Sequence, residues 1–163
     1  MCVLLMNDML IRFFQFYVLS LICMNLNLFW KKNDPNLINF DTMKYAIQQP
    51  DRFIIINVLP LHEQDCLIYG TIEAQQEEYI LNQMIQSITT PDKKIIVYGK
   101  HCNDGAIDTK IDQLQNLGLT EIFIYRGGLF EWMLLQDIYG DAEFSTTKKV
   151  LDLLRFKPTT TLL

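Results

Sequence analysis

Three short apolar runs, each rich in β-branched residues, alternate along this chain with stretches of helical periodicity. Phe53-Ile54-Ile55-Ile56, Lys94-Ile95-Ile96-Val97-Tyr98 and Ile122-Phe123-Ile124 within Glu121 to Tyr125 are continuous rather than alternating, the mark of strands covered on both faces. Between the first two, Ile80, Met84 and Ile88 recur four apart with Leu81 and Ile85 beside them. That stripe predicts a helix over Gln75 to Ile88, ended by Pro91-Asp92. Ile107, Ile111, Leu114 and Leu117 predict the next helix, and Gly118 closes it. Farther upstream, Asp41 is the expected N-cap of a helix over Thr42 to Gln49 stopped by Pro50. Strands separated by helices predict an α/β fold, a central parallel sheet with helices on both faces, and the three strands are expected side by side in its middle.

The run Tyr125-Arg126-Gly127-Gly128-Leu129-Phe130-Glu131-Trp132 ends the last strand, turns on paired glycines and starts an aromatic-bearing helix. Trp132 is placed to pack back on the sheet, Leu134 to Tyr139 continue the helix, and Gly140 caps it. Glu131 points either toward the loop mouth or toward solvent, and solvent is the reading preferred. Thr146 to Phe156, with Val150, Leu151, Leu153 and Leu154 apolar, predicts a short covering helix before Lys157-Pro158 and a Thr-rich tail.

Ligands of open parallel sheets bind beyond the carboxyl ends of the strands, so the loop after Val97-Tyr98 is the place for chemistry. It reads Gly99-Lys100-His101-Cys102-Asn103-Asp104-Gly105-Ala106. The order of strands, the loop position and the Gly-Gly-x-x-x-Trp turn together resemble the rhodanese-like domain family from about Ile38 to about Tyr139. The resemblance implies a rhodanese-like α/β fold. It also implies a loop whose amides and following helix N-terminus hold a cysteine thiolate and its persulfide.

Directly after the strand, where the family's cysteine usually stands, this chain has Gly99. Counting back from Gly118 selects His101 instead, and the C-x-x-G pattern selects Cys102 with Gly105. Asn57 and Leu59 occupy the stretch where the family usually carries Asp and Arg, while Glu63 and Cys66-Leu67-Ile68-Tyr69-Gly70-Thr71 keep part of its pattern. Two readings follow from the resemblance. One is a non-catalytic binding or regulatory module whose loop residues Gly99, Lys100, His101, Asn103, Asp104 and Gly105 meet a protein partner or a small sulfur-bearing anion. The other is a sulfurtransferase carrying sulfane sulfur on Cys102. Phosphoester hydrolysis is excluded, because His101-Cys102 begins the relevant pattern but Asp108 stands where its arginine belongs and would repel a phosphate.

At 163 residues the chain has room for one domain. A net charge of −5 without a basic cluster excludes nucleic acid as the main partner. Cys2, Cys23, Cys66 and Cys102 form no C-x-x-C pair, which fits reduced thiols in an intracellular, reducing compartment. Cys66 lies in an apolar segment and is expected in the core. No grouping of His, Cys, Asp and Glu has metal-ligand spacing, and no cofactor is expected.

The chain divides into an apolar leader over 1–35, the domain over 36–140 and a covering segment over 141–163. Phe13 to Trp30 are 18 uncharged positions between Arg12 and Lys31-Lys32, just long enough for a membrane candidate. Gln15, Ser20, Asn25 and Asn27 weaken that candidate, so membrane association through residues 9–30 stands beside a leader that packs or frays, or that is untranslated with Met24 as the start. No small-x-small cleavage site follows the apolar run Phe16 to Met24. Deleting residues 1–23 is expected to leave a folded, soluble domain with an unchanged circular dichroism spectrum and melting transition. An unfolded product would place the leader in the core.

Overall fold

The computed structural model describes residues 36–86 and 93–158. The leader, Cys2, Cys23, Ile88 with the Pro91-Asp92 stop, and the Thr-rich tail lie outside them. Strand β1 (Asn36–Ile38) leads into helix α1 (Phe40–Ile47), then β2 (Phe53–Asn57), α2 (Ala74–Gln86), β3 (Lys94–Tyr98), α3 (Ala106–Asn116), β4 (Ile122–Tyr125) and α4 (Gly128–Tyr139). The four strands form one sheet in the order β1-β4-β3-β2, parallel throughout.

The alternation of side chains across this sheet divides the core in two. Ile54, Ile56, Ile95, Val97, Ile122 and Ile124 face Leu81 of α2 and Ile107, Ile111 and Leu114 of α3. Ile55, Ile96, Tyr98 and Tyr125 face Met43 and Ala46 of α1 and Leu129, Trp132 and Met133 of α4. The continuous apolar runs are therefore explained by cover on both faces. Among the described residues no helix is long and apolar enough to cross a membrane.

The three expected strands do lie side by side and parallel, but β3 and β4 are the central pair. Beyond β4 sits β1, whose three residues are too few to carry a pattern. β2 takes the other flank, where the Ile72 amide donates to the Ile55 carbonyl at 2.9 Å and partly covers its edge. The N-cap of α1 is Asn39 rather than Asp41: its Oδ1 accepts the Thr42 amide at 3.0 Å, and the helix accordingly begins two residues before the expected Thr42. Leu117 is exposed at the end of α3, and Gly118 takes a φ of +86° as the helix stop.

The expected covering helix over Thr146 to Phe156 is instead an extended strap. Its backbone is used by the chain between Cys66 and Tyr69: the Tyr69 amide donates to Ser145 O at 3.1 Å, the Thr147 amide to Leu67 O at 2.8 Å, and the Cys66 thiol to Lys148 O at 3.0 Å. Only Leu153–Phe156 winds, as one 3-10 turn. Trp132 donates its indole N–H to Ser145 O at 3.1 Å and sets its ring edge against Phe144 at 5.0 Å. Asp65 pairs with Arg155 and Lys148, and the Arg155 hydrogen bond holds its carboxyl below the ordinary value. Cys66 is fully buried as expected, and burial pushes its thiol up.

Tyr98 and Tyr125 end β3 and β4 in register on the same face, yet their hydroxyls differ. The Tyr98 hydroxyl accepts the Ile68 amide at 3.2 Å and lies 2.9 Å from Thr71 Oγ1. The Tyr125 hydroxyl is buried without a hydrogen-bond partner among the described residues. Burial raises the pKa of both, and the nearby Glu131 carboxylate raises Tyr125 further. Tyr98→Phe is expected to lower stability by about 1–3 kcal/mol by stranding the Ile68 amide, whereas Tyr125→Phe removes an unpaired group and raises it by about 1 kcal/mol. The folded state keeps both phenols protonated while the unfolded state ionises near pH 10. Their contribution is therefore complete below that pH and lost above it. Denaturant titrations at neutral and alkaline pH check the opposite signs and a shallower alkaline decline in Tyr125→Phe.

Candidate functional site

At the carboxyl edge of the sheet the chain leaves β3 through Gly99 and curls back into α3. Asp104, not a cysteine, occupies the middle of this curl. Its Oδ2 accepts the Lys100 amide at 2.9 Å and its Oδ1 accepts the Ala106 amide at 3.0 Å, so one carboxylate closes both ends of the loop. A Cβ added at Gly99 would lie 2.6 Å from Asp104 Oδ2 and 2.9 Å from its Cγ. The Asp104 side chain thus fills the space that any side chain at position 99 would enter.

The outer wall of the loop is α4. Gly128, at φ +66°, comes so close that a Cβ there would sit 2.6 Å from Gly99 O and 3.0 Å from His101 N. That approach lets the Leu129 amide donate to Gly99 O and the Phe130 amide to Lys100 O, each at 3.0 Å. The second glycine of the pair is required by this contact as well as by the turn. Glu131 does not face open solvent as expected. It is half-buried with its carboxylate folded over Gly127, where a Cβ would fall 1.4 Å from Oε2.

The basic groups nearest the loop are already engaged. Lys100 Nζ is 2.8 Å from Glu63 Oε1, with both side chains partly buried. Arg126 grips Asp108 through both terminal guanidinium nitrogens, which gives Asp108 a structural role as an ion-pair partner. Asn57 Oδ1 accepts the Leu59 amide at 3.1 Å, and Leu59 is buried in the core, so the segment after β2 presents no charge at these two positions. Of the remaining loop residues, Asn103 and Gly105 are exposed and His101 is half-buried, with Nδ1 enclosed and lacking a hydrogen-bond partner among the described residues. Cys102 is an exposed free thiol. No group of His, Cys, Asp and Glu suited to a metal ion occurs among the described residues.

A parallel sheet covered on both faces, with a tight loop at its carboxyl edge, defines an open α/β domain, the class whose ligand sites lie beyond the carboxyl ends of the strands. The Rhodanese-like domain family model matches residues 45–135, more than half of the chain, and the chain belongs to that family. Similar solved structures include a single-domain sulfurtransferase of Saccharomyces cerevisiae, 20% identical over 66% of this chain and 95% of that one, with a TM-score of 0.46. A protein from Lactobacillus plantarum is 18% identical over 74% of this chain and 93% of its own, with a TM-score of 0.47. The rhodanese-like domain of an Anabaena protein is 19% identical over 80% and 94%, at 0.44. No curated protein matches the chain significantly.

The loop's internal ligand was the feature that sequence reasoning missed. The sequence reading counts Asp104 among the loop residues that meet a partner or anion, whereas in the structure it accepts the loop's own amides. The signal was nonetheless present, because Asp-Gly just before a helix is the pattern of an Asp side chain that accepts the amide two residues on. Gly99→Ala is expected to destabilise the domain by about 1–3 kcal/mol, and Asp104→Ala by about 1–2 kcal/mol through the two amides it strands. The double variant is expected to lose less than the sum, since removing Asp104 makes room for the methyl group. Additive losses in a denaturation cycle of the four proteins would show that the two positions do not compete.

Proposed function

We propose that this rhodanese-like protein is a non-catalytic binding module that engages a protein partner. The observation that carries the reading is the Asp104 carboxylate seated on the Lys100 and Ala106 amides. A persulfide or sulfur-bearing anion in that loop would have to displace a negative charge already satisfied by the donors it needs. The pairing of Lys100 with Glu63 and of Arg126 with Asp108 supports the same reading, because neither cation is left to attract an anion. Cys102 is an exposed free thiol, and the carboxylate seated on the loop's Lys100 and Ala106 amides is Asp104.

The test is sulfur uptake. Purified protein is treated with thiosulfate, its intact mass is recorded, and thiocyanate formation from thiosulfate and cyanide is followed for wild type, Cys102→Ser and Cys66→Ala. The expected result is no retained sulfur adduct and the same background rate for all three. A stable gain of one sulfur on wild type that Cys102→Ser lacks, accompanied by turnover, would make the protein a sulfurtransferase and overturn the proposal.

A further inference from the structure

The end of the sheet opposite the Asp104 loop carries a strip of rings and cations. Arg52 donates to the Tyr45 hydroxyl at 3.0 Å, and the Tyr45 ring meets Phe53 edge-to-face with centroids 5.9 Å apart. Phe53 and Lys94 open β2 and β3 and stand beside each other in register. The Lys94 ammonium in turn lies 5.4 Å from the centre of the Phe123 ring on β4. Solvent reaches the strip along its length: Tyr45 and Arg52 are exposed, and Phe53, Lys94 and Phe123 are half-buried.

The cations of this strip differ from most others in the protein. Most described Lys and Arg side chains are tied to a carboxylate, as Lys100 is to Glu63, Lys110 to Glu77 and Arg126 to Asp108. Arg52, Lys94 and the preceding Lys93 make no such pair among the described residues. Asp51 and Glu121 are exposed in the adjoining chain, and neither is paired with them. A ring face orients a cation without neutralising it, so positive charge stays available here beside aromatic area. The chain as a whole has a net charge of −5 and repels an acidic partner, which is therefore held only where cations stand unpaired.

We infer that this strip docks a short acidic peptide segment, with carboxylates beside Arg52 and Lys94 and an aromatic side chain against Tyr45 and Phe53. The inference rests on the binding-module reading and names a surface and a partner chemistry for it. The strip lies at the amino ends of β2 and β3, whereas the Asp104 loop leaves the carboxyl end of β3. Docking therefore leaves that loop's hydrogen bonds in place.

Fluorescence anisotropy with the full chain tests this. The probe is a labelled peptide of glutamates flanking a single phenylalanine, and the comparison peptide carries lysine in place of glutamate. The glutamate peptide is expected to bind at least about tenfold more tightly than the lysine peptide. Arg52→Glu is expected to weaken it about tenfold, and Lys94→Gln, which keeps most of the stem and removes the charge, about threefold. Lys157→Glu is the control for charge elsewhere: Lys157 is exposed at the end of the strap, and its reversal is expected to change binding less than about twofold. Absence of binding, equal binding of the two peptides, or equal loss in Lys157→Glu and Arg52→Glu overturns the inference. Flotation with phosphatidylserine vesicles that Arg52→Glu abolishes, without peptide binding, also overturns it, in favour of an anionic membrane surface. Sulfur uptake measured on the same preparations separates the two proposals. An adduct on Cys102 together with normal peptide docking removes the non-catalytic reading and leaves the strip standing, and no adduct together with no docking does the reverse.

Discussion

The backbone between Gly99 and Ala106 has to turn from a buried strand into a helix within a few residues, and the Lys100 and Ala106 amides at its two ends need an acceptor while it does so. In this chain the requirement is met internally, by Asp104 accepting at both ends of the curl. The glycine at position 99 follows from that choice, because the carboxylate takes the room a side chain would need. So does the role of Gly128, since a loop braced from within can be pressed hard against α4 from without. The loop is thus braced from both sides, by Asp104 within and by α4 without.

The rest of the carboxyl edge carries its own cross-links. Glu63 and Lys100 tie the segment after β2 to the loop, and Asp108 and Arg126 tie α3 to the end of β4. Below them Asn57, Tyr98 and Tyr125 form a row across three strands. The first two hydrogen-bond to nearby backbone amides, and the third has its hydroxyl enclosed beside Glu131 without a hydrogen-bond partner among the described residues. These contacts hold together the elements that meet at the carboxyl edge of the sheet.

The strands and the two long-patterned helices were legible in the sequence because cover on both faces leaves a continuous apolar run and a one-sided helix leaves a stripe. The family resemblance was legible for the same reason, together with the paired glycines before Trp132. What could not be read was set by partners distant in the chain. β1 has three residues and is defined only by its pairing with β4. The strap carries enough leucines to suggest a helix, yet its backbone is claimed by residues about eighty positions earlier, which no local pattern announces. At the loop, the sequence offered Gly99, His101 and Cys102 as rival nucleophile positions. Choosing among them required knowing that a side chain five residues farther on occupies the centre, which is a question of space rather than of residue type.

The strap also bears on how the protein comes off the ribosome. Cys66 and Lys148 are 82 positions apart, so the edge between Cys66 and Tyr69 is synthesised long before its partner exists. During that interval it presents unpaired amides and carbonyls beside an apolar sheet face, the kind of surface that holding chaperones recognise and that neighbouring nascent chains can invade. The stretch between Cys66 and Tyr69 therefore stays open until the strap has been made, and a chain truncated near residue 135 would carry every described strand of the sheet and nothing to close that stretch.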